Sequence, residues 1–381
     1  RACGDSVRFV LLGLAGLGIA AANLTARPAQ SQEVVVLVAG DFHGSLSPCG
    51  CTKPMSGGIK RLATAVRAEW VKDRTAFLVS GALVAGRSRQ DVLKLETLSE
   101  ALARMGATAI SFGLEEARLG RGAVSSAIRL SDGRYITSSI TPSPEAEISP
   151  YAIRAPFLIG SVSPNPQGLA TAVGSQPVAM QSAVRELVAE ATTAGLKPVL
   201  LLRGSYDQAL SVATSNPGLS LLVYSTGGSP PRAIELVGNT ALVTPGDEGK
   251  YLIRLVYRDG RFSAYKSVNL LPSYSDDPTV TRLYNTYLRR VAGEGLLDKE
   301  PRFATPAFAG NAKCISCHQP EGKVWIASAH SKALKTLEKE LHDRDPDCVR
   351  CHTVRVDSTM GFRSRTATPQ LANVGCESCH G

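Results

Sequence analysis

Nine residues near the C-terminus have the types and spacing needed to attach a cofactor covalently. They form three groups, each with two cysteines separated by two residues and followed directly by a histidine. The groups are Cys314-Ile315-Ser316-Cys317-His318, Cys348-Val349-Arg350-Cys351-His352 and Cys376-Glu377-Ser378-Cys379-His380. This pattern is typical of haem c attachment: two thiols add to two vinyl groups of one porphyrin, and the histidine donates an imidazole nitrogen to the iron. The sequence therefore predicts three haem c groups with His318, His352 and His380 as proximal ligands.

A zinc or disulfide module is the alternative for six clustered cysteines. Three identical units, each with its histidine directly after the second cysteine, fit that alternative poorly. The spacing favours haem.

The second axial ligand decides whether a haem only transfers electrons or also binds a substrate. His330 and His342 are the two spare histidines of this segment, and both are candidate distal ligands. Residues 324–333 read as a helix that carries His330. His342 lies in a charged stretch, where a solvated histidine is the alternative.

Three haems and two spare imidazoles leave one iron without a distal ligand. Met360, His43, a residue beyond Gly381, another chain or water could fill that position. We expect Trp325 to pack on a porphyrin, and a tryptophan in an ordinary core is the alternative.

Composition and cysteine usage restrict the class of protein. The 381 residues are 44% hydrophobic and carry a formal net charge of +9 without a lysine or arginine block. Nucleic-acid binding is therefore not expected. Haem c is attached on the outer side of an energised membrane, which predicts a periplasmic or extracellular location.

Residues 7–26 are mostly apolar, and about 20 such residues span a bilayer. Arg1 and Arg8 at the leading end predict a cytoplasmic N-terminus and a single-pass membrane anchor. A signal peptide cleaved near residues 20–22 is the alternative. Cys3 precedes the span; we expect a free cysteine there, and lipidation is the alternative.

Composition shifts divide the chain into four parts. Residues 1–32 are the anchor and linker, and residues 33–271 alternate apolar strands with helices, which predicts a layered α/β domain with a mostly parallel sheet. We predict an amphipathic helix at 278–291 and a linker within residues 272–310, and a small, mostly α-helical or irregular triple-haem domain at residues 311–381.

The α/β part carries a second recognisable pattern. Asp41-Phe42-His43-Gly44 follows an apolar strand and precedes the run Gly57-Gly58-Ile59-Lys60-Arg61-Leu62-Ala63-Thr64. Residues 33–271 thereby resemble the 5′-nucleotidase branch of metallophosphatases. The resemblance implies that Asp41 and His43 bind one of two metals, and that the other ligands come from a Gly-Asp pair, a Gly-Asn-His-Glu turn and two later histidines.

The chain departs from that ligand set at every later element. The replacing segments are Ser80-Gly81-Ala82, Ser111-Phe112-Gly113-Leu114-Glu115-Glu116, Leu202-Arg203-Gly204 and Tyr224-Ser225-Thr226-Gly227-Gly228. A two-metal site needs a bridging carboxylate and several imidazoles. We therefore expect a phosphatase fold without phosphatase chemistry, in which Asp41 and His43 hydrogen-bond loop backbone.

Cys49 and Cys51 lie shortly after Asp41 and His43. These four side chains are a candidate site for another metal, and a loop without metal is the alternative. A disulfide between residues two apart is strained; unpaired thiols or donation of a thiolate to a haem are the other possibilities.

The haem segment also resembles a family, the multihaem cytochromes related to the tetrahaem cytochrome c of nitrifiers. The match follows the first attachment motif with Trp325-x-x-Ser328-x-His330-x-x-Ala333, Asp345-Pro346-Asp347-Cys348 and Val374-Gly375-Cys376-Glu377-Ser378-Cys379-His380-Gly381. The resemblance implies tightly stacked haems with mostly bis-histidine ligation and low potential. Family members run on to a further histidine, so we expect the natural protein to be longer.

These features predict a membrane-anchored electron carrier rather than an enzyme, acting as a subunit of a larger redox complex or as its partner. One alternative is a haem enzyme that reduces a small nitrogen or sulfur compound at an open axial position. Another is a nucleotide phosphoesterase fused to a redox module.

Overall fold

The computed structural model describes residues 33–48, 54–142, 147–225 and 228–381. Cys3, the expected anchor at residues 7–26, Cys49 and Cys51 lie outside the described residues. Among the residues it does describe, no helix is both long and apolar enough to cross a bilayer. Residues 33–381 form one compact unit.

The first sheet has six strands in the order β12-β11-β1-β2-β3-β4. Its strands are β1 (Val34–Ala39), β2 (Thr75–Val79), β3 (Ala109–Ser111), β4 (Tyr135–Ile136), β11 (Tyr251–Arg258) and β12 (Arg261–Asn269). Strands β1 to β4 are parallel, whereas β11 runs antiparallel to β1 and forms a hairpin with β12.

The second sheet also has six strands, in the order β5-β6-β7-β8-β10-β9. Its strands are β5 (Tyr151–Arg154), β6 (Phe157–Val162), β7 (Lys197–Leu202), β8 (Leu221–Tyr224), β9 (Glu235–Val237) and β10 (Thr240–Val243). The four central strands are parallel, and the edge strands β5 and β9 are antiparallel.

The two sheets pack against each other through a shared apolar core. Val36 and Leu78 of the first sheet belong to the same buried cluster as Ile159 and Val199 of the second. A strand that is buried on both faces has apolar residues at consecutive positions. The continuous apolar runs in the sequence therefore predicted buried strands. The expected α/β layering is confirmed, but the layers include two mixed sheets.

Helices cover the outer face of each sheet. The first sheet packs against α1 (Ile59–Glu69), α2 (Arg89–Arg104), α4 (Arg121–Leu130), α5 (Pro166–Val173) and α8 (Pro278–Gly293), with the short helices α3 (Leu114–Ala117) and α9 (Leu296–Lys299) beside them. The second sheet packs against α6 (Met180–Thr193) and α7 (Tyr206–Ser215). The result is a four-layer arrangement of helices, sheet, sheet and helices.

Helix α8, which the sequence predicted as an amphipathic helix at residues 278–291, packs into the core of the α/β domain. Its N-cap residue Asp277 accepts hydrogen bonds from the backbone N–H groups of Thr279 and Val280 at 2.9 and 3.0 Å. Tyr284 and Leu288 on its inner face are buried with the residues of α1 and α2. The helix therefore connects the α/β domain rigidly to the C-terminal segment.

The C-terminal segment has short helices and a small core of its own. The helices are α10 (Asn311–Ile315), α11 (Gln319–Ala327), α12 (Ala333–Glu338), α13 (Pro346–His352) and α14 (Glu377–His380). Leu334, Val349, Phe362 and Leu371 lie in one buried cluster. Protein side chains therefore form an apolar core within this segment.

The predicted helix at residues 324–333 is wrong in its extent. Helix α11 ends at Ala327, and Ser328 adopts an extended conformation. The Ser328 hydroxyl donates to the Trp325 carbonyl at 2.7 Å, and the Ser331 hydroxyl donates to the Ile326 carbonyl at 2.9 Å. Serine hydroxyls that bond nearby carbonyls compete with helix continuation, so His330 lies in a separate short 3₁₀ turn.

Candidate functional site

The second attachment motif lies entirely on helix α13. Asp345 is the N-cap, and its Oδ1 accepts a hydrogen bond from the Asp347 backbone N–H at 3.0 Å. At the other end of the helix, the Nδ1–H of His352 donates to the Ala333 carbonyl at 2.8 Å. That bond fixes the imidazole tautomer and leaves Nε2 as the nitrogen able to bind iron.

The first and third motifs line a single cavity of about 220 Å³. Its wall contains Cys314, Ile315, His318, Glu321, Gly322, Trp325, His330, Val374, Gly375, Cys376, Cys379 and His380. The candidate distal ligand His330 thus lies in the same cavity as two of the proximal histidines. The sequence order of the motifs did not indicate this pairing.

Hydrogen bonds between side-chain oxygens and backbone N–H groups connect the third motif to the residues around the start of the first. The Cys376 N–H donates to the Asn311 side-chain oxygen at 2.8 Å. The Glu377 carboxylate accepts from the backbone N–H groups of Ala309 and Gly310 at 2.7 and 2.8 Å. The segment before the first motif and the third motif therefore support each other directly.

Trp325 and Val374 form another part of the cavity wall. The indole N–H of Trp325 donates to the Val374 carbonyl at 2.8 Å, and the Val374 N–H donates to the His330 carbonyl at 3.2 Å. These bonds join the Trp325 indole and the His330 backbone to the same residue, Val374. Contact of Trp325 with a porphyrin stays a prediction.

The residues present fit covalently bound haem. All six motif cysteines are unpaired, and the second cysteine of each motif, Cys317, Cys351 and Cys379, is exposed. Val324 on α11 exposes 73% of its surface although it is aliphatic. Available thiol pairs with adjacent imidazoles, together with uncovered apolar surface, are the features that a porphyrin edge and face require.

His342 is buried, so the alternative of a solvated histidine is wrong. Its Nε2 lies 3.3 Å from the Tyr284 hydroxyl, and the two rings meet edge to face with centroids 5.7 Å apart. Burial lowers the pKa of His342, which favours the neutral imidazole. Binding of iron by Nε2 requires that the contact with Tyr284 breaks.

Asp41 is paired with Arg203, not with the loop backbone that we expected. The Arg203 Nη1 donates to Asp41 Oδ1 at 2.8 Å, and the Ser225 hydroxyl donates to the same oxygen at 3.2 Å. The Arg203 and Asp41 side chains are 7% and 2% exposed. Burial raises the pKa of Asp41, and the charge of Arg203 opposes that rise. A guanidinium therefore supplies positive charge beside the residue that the resemblance implied as a metal ligand.

Two glutamates complete this cluster. Glu115 accepts a hydrogen bond of 3.0 Å from Arg203 Nη2. The Glu116 carboxylate accepts from the backbone N–H groups of Leu83 and Gly113 at 2.7 and 3.0 Å. Burial, together with the charge of Glu115, raises the pKa of Glu116 to about 7. The carboxylates at the expected Gly-Asn-His-Glu turn are thus bound by protein donors.

His43 also has a protein partner, because its Nε2 lies 3.4 Å from Asp247 Oδ1. In the described part of the chain, no three His, Cys, Asp or Glu side chains are grouped as a metal site would need. Cys49 and Cys51 are outside that part. Metal binding by these residues stays a prediction.

Sequence reasoning missed the contacts that join helix α13 to the α/β domain. The Gln90 side-chain amide donates to Asp345 at 2.7 Å and to the Tyr287 hydroxyl at 2.8 Å. Lys94, beside Gln90 on α2, forms an ion pair with Asp347. No local signal identifies these partners, because they are separated by about 250 residues in sequence.

The C-terminal segment is similar to known cytochromes. The family model for cytochrome c554 and c-prime matches residues 313–381. A cytochrome c-554 of Nitrosomonas europaea is 33% identical over 93 residues, which is 20% of this chain and 40% of that protein. The chain thus spans less than half the length of this relative.

The α/β domain has the fold of solved phosphoesterase structures. A 5′-nucleotidase precursor from Thermus thermophilus superposes with a TM-score of 0.57 at 17% identity, covering 72% of this chain and 61% of that chain. The calcineurin-like phosphoesterase YfkN from Bacillus subtilis superposes with a TM-score of 0.52 at 14% identity, covering 68% of this chain and 98% of that chain. Both resemblances are confirmed as similarities: residues 313–381 match the family model for cytochrome c554 and c-prime, and the α/β domain shares the fold of 5′-nucleotidase and calcineurin-like phosphoesterase structures.

Proposed function

We propose that this protein is an electron-transfer cytochrome with three covalently bound haems. The observation that carries the proposal is the placement of the attachment motifs. The first and third motifs share one cavity with His330, and the second motif occupies helix α13, whose His352 has Nε2 available. Iron in haem c supplies reversible one-electron chemistry.

Each haem would be held by two thiols and one imidazole. The sets are Cys314, Cys317 and His318; Cys348, Cys351 and His352; Cys376, Cys379 and His380. His330 is the proposed distal ligand within the shared cavity. The Glu377 and Asn311 hydrogen bonds fix the spacing of the two motifs there, which supports close approach of their haems.

In this proposal the α/β domain serves as a scaffold rather than as a phosphatase. Arg203 beside Asp41 supports that role, because a buried guanidinium repels a second cation at the same carboxylate. The proposed division is residues 1–32 as anchor, 33–271 as scaffold, 272–310 as connection and 311–381 as haem domain.

We further propose a periplasmic or extracellular position, a single-pass membrane anchor and redox proteins as partners. The need to attach haem c outside the energised membrane supports the compartment. The apolar residues 7–26 support the anchor.

The haem content tests the main proposal. We expect three haems per chain from the pyridine haemochrome spectrum, and a mass increase of three haems after denaturation. Six unmodified thiols in residues 314–379, or zinc in place of iron, would contradict it.

A second candidate function is reduction of a small molecule at an open haem iron. The contact between His342 Nε2 and the Tyr284 hydroxyl favours it, because that contact occupies the nitrogen with which His342 would otherwise bind a haem iron. Carbon monoxide binding to the reduced protein distinguishes the candidates: one responsive haem supports an open iron, and none supports electron transfer alone.

Phosphoesterase activity is tested separately. In the haem-loaded protein, we expect elemental analysis to find fewer than two manganese or zinc ions per chain. We also expect no AMP hydrolysis with excess manganese, because a two-metal site needs ligands that this chain replaces. Two bound metals with measurable hydrolysis would overturn the scaffold role.

A further inference from the structure

The three attachment motifs differ in what holds them in place. The first and third motifs are held within the C-terminal segment through Asn311 and Glu377. Helix α13, which carries the second motif, is held by side chains of the α/β domain. In the described part of the chain, α2 and α8 of the α/β domain thus bind the N-terminal end of helix α13 directly.

The contact nearest to the attachment cysteines involves the charged residue Lys94 of helix α2, which pairs with the residue directly before Cys348. Its ammonium group forms an ion pair with the Asp347 carboxylate, and its side chain is only 10% exposed. Asp347 directly precedes Cys348 in the sequence. The positive charge of Lys94 is thus fixed close to the point where a porphyrin would be attached.

A buried hydrogen-bond network fixes the same helix at its N-terminus. Asp345 is 4% exposed and accepts from the Gln90 amide at 2.7 Å. The Tyr287 hydroxyl lies 3.4 Å from the second oxygen of Asp345 and accepts from Gln90 at 2.8 Å. Helix α13 can therefore move relative to Lys94 only if buried polar groups lose their partners, which is costly.

We infer that Lys94 is a positioning residue through which the α/β domain sets the reduction potential of the haem attached at Cys348 and Cys351. The inference rests on the proposed function, since it requires that haem is bound there. A nearby fixed positive charge favours the ferrous over the ferric state and raises the potential; a nearby carboxylate has the opposite effect. The ion pair thus places two opposing charges beside one haem.

The test is a redox titration of the full-length haem protein and its variants, with each haem component resolved. Lys94→Met removes the positive charge, and we expect the midpoint of one component to fall. Asp347→Asn removes the negative charge, and we expect the midpoint potential of the same haem component to rise. The other two midpoints stay unchanged in both variants.

Midpoint shifts of opposite sign in the two variants distinguish an effect of charge from a loss of structural support for helix α13. Both substitutions break the same ion pair, so loosening of the helix alone would move the midpoint in the same direction in both. Shifts of the same sign, or three unmoved midpoints, would overturn the inference. Lys266→Met is the matched control, because Lys266 on the edge strand β12 pairs with Glu69 of helix α1, and we expect no midpoint to shift.

Two further measurements make the outcome unambiguous. His352→Met changes the proximal ligand at the second motif and raises the midpoint of that haem, which identifies the component. The haem count of every preparation is determined first. Absence of covalent haem would overturn the proposed function and this inference with it, whereas three haems with unmoved midpoints would overturn only the role of Lys94.

Discussion

The guanidinium group of Arg203 donates a hydrogen bond of 2.8 Å to the carboxylate of Asp41, across 162 positions of sequence. Asp41 follows β1 and Arg203 follows β7, so the pair bridges the two sheets. Both side chains are almost fully buried. A domain with a metallophosphatase fold thus contains an internal ion pair at the first residue of the ligand set that the resemblance implied.

Arg203→Met should destabilise the α/β domain strongly. It leaves the Asp41 carboxylate buried without its charged partner, and breaking one side of a buried ion pair typically costs about 3–5 kcal/mol. The measurement is the free energy of unfolding from denaturant titration followed by far-ultraviolet circular dichroism.

Arg185→Met is the control for that substitution, because Arg185 is exposed and contacts Ser182 on its own helix. We expect a change within about 0.5 kcal/mol for this variant. An Arg203 variant that is no less stable than the Arg185 variant would show that the ion pair does not support the fold.

Stability should depend on pH through Asp345. Burial raises the pKa of Asp345 to about 6 from an ordinary value of 3.8. The folded state therefore holds this proton more tightly than the unfolded chain. The contribution of protonated Asp345 to the free energy of unfolding is complete below about pH 4 and is lost as pH rises through about 6. Its loss lowers the free energy of unfolding by at most about 3 kcal/mol.

Asp345→Asn isolates this contribution, because asparagine also caps helices and accepts the Asp347 N–H. We expect the free energy of unfolding of this variant to fall less between pH 4 and pH 7 than that of the unmodified protein. Equal pH dependence of the two proteins would assign the effect to other carboxylates.

Replacing both thiols of one motif should remove one haem. For Cys348→Ala combined with Cys351→Ala, we expect covalently bound haem to fall from three to two per chain, because each porphyrin needs its own thiol pair. Mass spectrometry and the pyridine haemochrome spectrum measure this. The control is Arg350→Ala, which changes an exposed side chain between the two cysteines and should retain three haems.

His330→Ala should open an axial position in the cavity shared by the first and third motifs. Loss of a distal imidazole leaves an iron that binds carbon monoxide once reduced. We expect the carbon monoxide difference spectrum to gain one haem equivalent over the unmodified protein. Lys335→Ala, an exposed substitution on α12, should produce no gain, and an equal response of both variants would remove His330 from the ligand set.

The sequence by itself determined the features that are encoded locally. Each attachment motif occupies five consecutive residues, so its chemistry can be read without knowing the fold. Helix positions such as α8 followed from apolar periodicity, because the side chains that share a helix face recur every three to four residues. The continuous apolar strands likewise indicated a layered α/β domain.

Only the tertiary structure decided which distant residues meet. The pairing of Arg203 with Asp41, of Lys94 with Asp347 and of the first motif with the third depends on strand order and helix packing. The antiparallel hairpin β11–β12 and the division of the strands into two sheets could not be predicted from the sequence either. The apolar pattern of a strand is the same whichever strand lies beside it. Long-range partners are set by the packing of the whole chain, which no short stretch of sequence encodes.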